Sequence, residues 1–427
     1  MSTAPTRIST HDDPAPARFG ALRHLSVAGR RAFVGAFGGY GLDAFDYQVL
    51  PLTLSAIAAY FRISAGQAGL LNSVTLVVSA VGGLLAGVLA DRIGRTRTLM
   101  ITIGTYAVFT LLCGLAPNFG LLLTFRALQG LGFGGEWAVG AVLVAEYAAP
   151  RYRGRVAALI QSSWAVGWAA AVVVYAIVFD LASPEVGWRI MFMTGVLPAL
   201  FVLYLRRKVS DAPRSEGAGR SPNRIRAWGS VSAIMRGGLG RTTFFAALLA
   251  TGVQGGYYTL GTWLPLYLHT ARHLNVVNTG GYLAFLISGA FAGYLFGGVL
   301  SDRIGRKANF AIFAVAAAVL LVAYSLVPPG ANGLLLVLGF PLGFAYSAIF
   351  SGFGAFLAEL YPAELRGTGQ GFTYNFGRAV GASFPATVGF MAEKFGIGGA
   401  MAFGALGYAI AVVALLGLPE TRGRELR

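Results

Sequence analysis

The chain has 427 residues, of which 56% are hydrophobic and only 12% are charged. Soluble domains carry about 25% charged residues, so this composition excludes an ordinary soluble protein and predicts one whose partner is the lipid bilayer. The formal net charge of +16 would suit nucleic acid only if the basic residues were clustered on a soluble surface.

Apolar segments of membrane-spanning length follow one another along the chain, since a helix needs about 20 apolar residues to cross a bilayer. They lie near 32–60, 67–90, 98–115, 120–148, 155–179 and 188–206, and again near 242–268, 277–300, 308–327, 332–360, 367–392 and 399–417. We therefore predict an all-α membrane protein with twelve transmembrane helices in two six-helix bundles. The predicted divisions are a tail 1–30, a bundle 31–206, a central loop 207–241, a second bundle 242–418 and a tail 419–427.

The basic residues are concentrated on one side of this predicted topology. Of the 33 Lys and Arg, 27 fall in the two tails, the even-numbered loops and the central loop. This asymmetry follows the positive-inside rule and predicts that both termini are cytoplasmic, so no nucleic acid is needed to explain the charge. The single cysteine, Cys113, and four histidines without ligand spacing predict no metal site and no cofactor.

Two loop motifs recur in the same order in both halves. The sequence from Gly87 to Arg95, GVLADRIGR, returns 211 residues later as GVLSDRIGR, from Gly298 to Arg306. A second motif, in which a glutamate is followed by a proline and an Arg-Gly pair, begins at Glu146 and returns at Glu359. The repetition predicts that the two bundles are related by pseudo-symmetry.

These motifs, with RALQGLGFG from Arg126 to Gly134, resemble the major facilitator superfamily from about Arg31 to Pro419. The pairs Asp43/Asp46 and Glu136/Trp137 lie in sequences that resemble bacterial proton symporters for sialate, sugar acids, aromatic acids and metabolites. The resemblance implies alternating access, a bacterial inner-membrane location and a monomer. The glycines also fit the GxGxxG dinucleotide pattern, but in mid-span they are better suited to close helix packing.

The resemblance also implies a cytoplasmic gate. In the family, the loop aspartate caps the N-terminus of a helix in the other half, and the loop arginine pairs with the carboxylate that ends the fourth helix of its own half. The residues at the matching positions are Asp91, Arg92, Arg95, Glu146 and Arg153, and Asp302, Arg303, Arg306, Glu359 and Arg366. The alternative is a charged turn that only fixes the topology.

Charged residues also occur within the predicted spans. A charge at the bilayer centre costs roughly 2.5 kcal/mol or more, so such residues face a partner or a watery cavity. Asp43, Asp46 and Glu136 fall near mid-membrane and are candidates for proton coupling. The alternative for Asp46 is a structural ion pair with Arg126.

Arg378 is the candidate anion ligand, because its planar guanidinium suits a carboxylate, and Asn375 lies on the same helix face. The alternative for Arg378 is a lock between helices. The further candidates for the substrate site are Tyr374, Arg126, Gln161, Trp164, Gln254, Tyr257 and Tyr258, beside Trp168, Tyr346 and Phe350. Packing between helices is the alternative role for each of these neighbours.

We therefore expect a proton-coupled symporter that imports a small organic anion, a carboxylate, by alternating access. The alternative is a proton-driven exporter of drugs or metabolites. Exporters of this superfamily carry a Gly-Pro motif in the fifth span, and the stretch from Ala165 to Ala171 lacks the proline. We expect no enzyme and no catalytic residue, since no nucleophile or metal constellation is visible.

Overall fold

The computed structural model describes residues 27–147, 153–197, 200–201 and 227–422. Residues 1–26, 148–152, 198–199, 202–226 and 423–427 lie outside this part, and they include the end of the predicted first bundle and residues 207–226 of the predicted central loop. The described part also leaves out the side chains of Asp91, Arg95, Glu136, Glu146 and Arg153, although their helices are described.

The N-terminal half consists of long helices joined by short turns. They are α1 (Val27–Phe61), α2 (Ala65–Ile93), α3 (Arg95–Gly114), α4 (Phe119–Tyr147), α5 (Arg153–Leu181) and α6 (Pro184–Met193). The C-terminal half contains α7 (Ala227–Ile234), α8 (Gly237–Leu266) with a π-helical turn (Tyr267–Ala271), α9 (Val276–Ile304), α10 (Arg306–Ser325), α11 (Asn332–Glu359), α12 (Arg366–Gly381), α13 (Ser383–Ala402) and α14 (Gly404–Leu416). No strand occurs among the described residues.

The repeat in the sequence is also a repeat in backbone geometry. Gly94 joins α2 to α3 with φ 96° and ψ 159°, and Gly305 joins α9 to α10 with φ 99° and ψ 158°. A positive φ favours glycine, which explains why both copies of the motif place glycine there. The helices that end at these turns, α2 and α9, also begin alike. The Ser64 side chain accepts a hydrogen bond from Gln67 N at the start of α2, and the Asn275 side chain accepts one from Asn278 N at the start of α9.

The turns at Gly94 and Gly305 lie at one end of the bundle, which we call the motif end. The helix starts at Ser64 and Asn275 lie at the opposite end, which we call the distal end. The glycines of α4 serve close packing, since a Cβ on Gly130 or Gly134 would overlap backbone oxygens of α2.

Six described helices are individually long and apolar enough to cross a membrane, and α12 to α14 form a seventh, bent candidate. Asp43 and Asp46 lie in α1 and Arg126 lies in α4, two long helices that are not among these six. The predicted eleventh and twelfth segments are separated by a turn at Gly396, which has φ 70°. Ala382 separates α12 from α13 within the eleventh segment, and the 45° bend of the candidate lies at Phe403, between α13 and α14.

The predicted central loop, 207–241, contains helical structure at its end. α7 occupies residues 227–234, and α8 begins at Gly237, before the predicted start of the seventh segment at 242. Ile234 is fully buried, and its carbonyl oxygen accepts a hydrogen bond of 2.8 Å from Thr243 Oγ1. The apolar stretch before Gly237 is therefore anchored on α8 and does not remain a free linker.

Candidate functional site

Arg378 lies half-way along the bundle, at the interface of the two halves. Its side chain is 4% exposed, and its guanidinium lies 5.6 Å from the ring centre of Phe133 in the N-terminal half and 5.0 Å from that of Tyr374. Nη2 donates to the Tyr374 hydroxyl at 3.4 Å, whereas Nε and Nη1 have no hydrogen-bond partner among the described residues. We call Arg378, Tyr374 and Phe133 the anion site, because a buried cation with unused donors is suited to a carboxylate.

Aromatic rings from both halves surround the anion site. They form a connected set of Tyr40, Tyr47, Phe133, Trp164, Tyr257, Tyr258, Tyr346 and Phe350, with neighbouring ring centres 5.0–6.5 Å apart. The Trp164 Nε1 donor is buried without a hydrogen-bond partner among the described residues. These rings offer flat apolar walls, and the indole offers a directional donor.

The side-chain amide nitrogens of two predicted polar ligands, Gln254 and Asn375, donate to carbonyl groups of the protein. Gln254 Nε2 donates to the Tyr374 carbonyl at 3.0 Å, and its Oε1 accepts from the Tyr258 hydroxyl at 2.9 Å. Asn375 Nδ2 donates to the Gly371 carbonyl of its own helix at 2.9 Å. Gln254 thus holds the Tyr258 side chain and the backbone of Tyr374 in position, and Gln161 is a half-buried residue one turn before Trp164.

A second buried group of charged residues lies within the N-terminal half. Gln129 Nε2 donates to Asp46 Oδ2 at 2.5 Å and to Thr110 Oγ1 at 2.6 Å, while its Oε1 accepts from Arg126 Nη1 at 2.5 Å. We call Asp46, Thr110, Arg126 and Gln129 the acid cluster. The amide of Gln129 stands between the carboxylate and the guanidinium, so their contact is bridged and differs from the direct ion pair that the sequence left open.

Asp43 and Asp46 have different electrostatic partners although they are three residues apart. Asp46 interacts with Arg126 of the acid cluster, whereas Asp43 interacts with Arg378 and with Tyr40. Both carboxylates are buried, at 2% and 1% exposure. The two aspartates therefore interact electrostatically with different buried arginines, and Arg126 belongs to the acid cluster instead of the anion site.

The expected gate residues of the C-terminal half meet at the motif end. Arg306 Nη2 lies 3.1 Å from Glu359 Oε1, and Arg306 Nη1 lies 2.6 Å from Asp302 Oδ1. The Asp302 side chain is 69% exposed, so in this conformation it is not buried against a helix of the N-terminal half. Arg303 is exposed, and Arg366 Nε donates to the Ala358 carbonyl at 3.1 Å. In the N-terminal copy, Arg92 is exposed.

The C-terminal segment joins this group. Glu420 accepts hydrogen bonds from the backbone N–H groups of Arg306 (2.9 Å) and Lys307 (3.0 Å), at the N-terminus of α10. Partial burial raises the pKa of Glu420, but hydrogen bonds from four backbone N–H groups outweigh it and hold this pKa below the ordinary value. No motif in the sequence indicated that this carboxylate caps α10.

The sequence pattern of the Major Facilitator Superfamily matches residues 36–386 and 282–426. The chain belongs to this superfamily. It is 39% identical to a probable 4-methylmuconolactone transporter of Cupriavidus pinatubonensis, over 92% of this chain and 91% of that protein. It is 29% identical to the cis,cis-muconate transport protein of Acinetobacter baylyi, over 91% and 94% of the two chains. Its fold matches that of a D-xylose-proton symporter with a TM-score of 0.72 at 19% identity, covering 93% of this chain and 99% of that one.

These similarities confirm the predicted resemblance and the predicted all-α membrane fold with two helical bundles. They also confirm that the chain is a transporter and not an enzyme, and that the transported molecules of its relatives are small organic compounds.

Several residues of the site were not predicted. Gln129 was recognised only as part of a family motif, although its position three residues after Arg126 could have indicated a shared helix face. Tyr40, Tyr47 and Phe133 gave no such signal, because aromatic residues are frequent throughout the spans.

Proposed function

We propose that this transporter is a proton-coupled symporter that imports a small organic carboxylate by alternating access. The observation that carries the proposal is the buried guanidinium of Arg378, which keeps two nitrogen atoms without a partner among the described residues. Leaving such donors unsatisfied is costly, and a substrate carboxylate that accepts from Nη1 and Nη2, or from Nε and Nη2, would satisfy one of them in the bidentate geometry that arginine favours.

The surrounding aromatic rings favour a flat, conjugated substrate. Phe133 and Tyr47 are stacked with ring centres 5.7 Å apart and an interplanar angle of 21°, and Trp164 and Tyr257 complete the wall. Two of the relatives are named for the transport of a muconolactone and of a muconate. Muconate is therefore the first compound to test.

The position of Asp43 supports symport. Arg378 attracts both an ionised Asp43 and a substrate carboxylate, so the two negative charges compete for one guanidinium. An ionised Asp43 therefore weakens the binding of the substrate. Protonation of Asp43 leaves the guanidinium to the substrate, which makes proton and anion bind together. An exporter that exchanged protons for substrate would require the opposite linkage.

In this proposal the motif end faces the cytoplasm, both termini are cytoplasmic, and the protein works as a monomer in the inner membrane. The basic residues of the loops support this orientation. Arg306, Glu359 and Asp302 would contribute to a cytoplasmic gate, together with their counterparts in the N-terminal half. Asp46 and Glu136 are proposed as further proton-carrying groups beside Asp43.

The test is uptake of cis,cis-muconate and a panel of other organic acids into proteoliposomes, with internal pH recorded at the same time. We expect saturable uptake accompanied by a proton. Arg378→Lys keeps the charge but loses the planar fork, so it should weaken substrate binding about tenfold, and Arg378→Ala should abolish transport. Near-normal affinity of the alanine variant for an anionic substrate would remove Arg378 from the site.

A further inference from the structure

The distal end of the bundle is closed by the face of α2 that contacts the C-terminal half. The Ala386 N–H donates to Ser73 Oγ at 3.1 Å, and a Cβ on Gly69 would lie only 2.5 Å from the Pro385 carbonyl oxygen. The backbones of α2 and α13 are therefore in close contact here. Access from the distal end requires these two helices to separate.

A buried polar contact joins the halves just below this surface. Asn72 Nδ2 of α2 donates to Thr262 Oγ1 of α8 at 2.5 Å and lies 3.1 Å from the Tyr47 hydroxyl of α1. The exposed fractions of these three side chains are 0%, 0% and 2%. We call Tyr47, Asn72 and Thr262 the distal latch, because the amide belongs to one half and the threonine to the other.

Tyr47 connects the latch to the anion site. Its hydroxyl lies in the latch, while its ring is stacked on Phe133 at 5.7 Å. Phe133 in turn lies 5.6 Å from the Arg378 guanidinium. A continuous path of contacts thus leads from the anion site through two rings to the hydrogen bond between the halves.

We infer that the distal latch holds the distal end closed, and that Tyr47 transmits occupancy of the anion site to it. The latch itself depends only on the contacts between the halves. The link to substrate rests on the proposed function, since it takes Arg378 as the anion ligand. Tyr47, Asn72 and Thr262 act here as positioning residues that set which end of the bundle is open.

The size of the effect follows from the contact that is lost. In the closed form the latch is dry, whereas in the distal-open form water can hydrogen-bond to Asn72 and Thr262. The net contribution of one such hydrogen bond corresponds to roughly a three- to tenfold change in the ratio of open to closed forms. Thr262→Val preserves shape and removes only the hydroxyl, so it should raise that ratio by this factor.

The experiment measures the distance between the halves at the distal end. Spin labels are attached at Ala59→Cys and Lys394→Cys, both exposed positions, in a Cys113→Ala background reconstituted into lipid. Pulsed dipolar spectroscopy then gives the populations of short and long distances. Thr262→Val and Tyr47→Phe remove the hydroxyls of the latch, whereas Thr262→Ser retains one.

Thr259→Val is the matched control. Thr259 is equally buried on the same helix, but its hydroxyl donates to the Gly255 carbonyl of α8 itself, at 3.0 Å. We expect the long-distance population to grow in Thr262→Val and Tyr47→Phe and to stay at the wild-type level in Thr262→Ser and Thr259→Val. An unchanged distribution in Thr262→Val, or an equal shift in Thr259→Val, would overturn the latch.

Adding cis,cis-muconate separates this inference from the proposed function. In the otherwise unmutated, labelled protein we expect muconate to change the distance distribution, and in Tyr47→Phe we expect that response to be lost. A response that persists unchanged in Tyr47→Phe would refute the transmission through Tyr47. If the latch variants shift the distribution but muconate and the other organic acids leave it unchanged, the latch stands and the proposed substrate class is wrong.

Discussion

Asp46→Asn tests whether the acid cluster carries the transported proton. Asp46 Oδ2 accepts from Gln129 Nε2 at 2.5 Å, and Gln129 Oε1 accepts from Arg126 Nη1. Asparagine has nearly the same shape and keeps one oxygen that can accept from Gln129. The substitution therefore leaves the bridge in place and removes the group that can gain and lose a proton.

The structural cost of this change is small compared with its functional effect. Replacing a charge-assisted hydrogen bond by a neutral one costs about 1 kcal/mol, so the variant should insert and fold. If one proton enters with each monovalent carboxylate, a difference of one pH unit drives about tenfold accumulation, which corresponds to about 1.4 kcal/mol. If coupling requires Asp46 as well as Asp43, the accumulation ratio of the variant should fall to about one, because the proton gradient is then no longer coupled to transport.

The assay compares two measurements on the same proteoliposomes. Uptake under an inward proton gradient reports coupling, and exchange of labelled for unlabelled substrate without a gradient reports binding and the conformational change alone. Thr53→Val is the control, because Thr53 is buried on the same helix as Asp46 and its hydroxyl donates to the carbonyl groups of Val49 and Leu50 in that helix. We expect Asp46→Asn to retain exchange and lose accumulation, and Thr53→Val to retain both.

Two outcomes would refute this reasoning. Accumulation by Asp46→Asn at the wild-type ratio would mean that the proton is carried elsewhere, and the same assay on Asp43→Asn and Glu136→Gln would then identify the carboxylate. Loss of exchange together with accumulation, in a protein that is folded, would assign Asp46 to substrate binding or to structure.

Three further predictions concern the motif end. Asp302→Asn and Asp91→Asn should each favour the inward-open form by about 0.3–1 kcal/mol, because each variant loses a charge–dipole contact of that size. Unchanged accessibility of cytoplasmic reporter cysteines in these variants would contradict the gate. Because its pKa is lowered, ionised Glu420 should stabilise α10 above the ordinary carboxyl pKa and lose this effect as the pH falls through the lowered value. Thermal unfolding should therefore show Glu420→Gln less stable than the wild type by about 0.3–1 kcal/mol at pH 7, with a smaller difference in acid. Reporter fusions in residues 214–226 should be cytoplasmic, and an external signal would reverse the predicted topology.

The sequence alone was sufficient to predict the class of protein, the two-fold repeat and the presence of charged residues within the spans. Span length and hydropathy are properties of a linear segment, so they can be recognised without a fold. The cost of a charge in lipid likewise singled out Asp43, Asp46 and Arg378. Gly94 and Gly305 could be matched because the same motif requires the same backbone in both halves.

The partners of these residues were decided only by tertiary structure. Sequence spacing gives the depth of a side chain, but the rotation of each helix and its neighbours determine which groups meet. Asp43 and Asp46 lie one turn apart, yet the packing of α1 directs their interactions to different arginines. Asn72 and Thr262 are 190 residues apart, and no periodicity relates them. Their contact exists because α2 and α8 cross at the interface between the halves, and a linear pattern contains no information on that crossing.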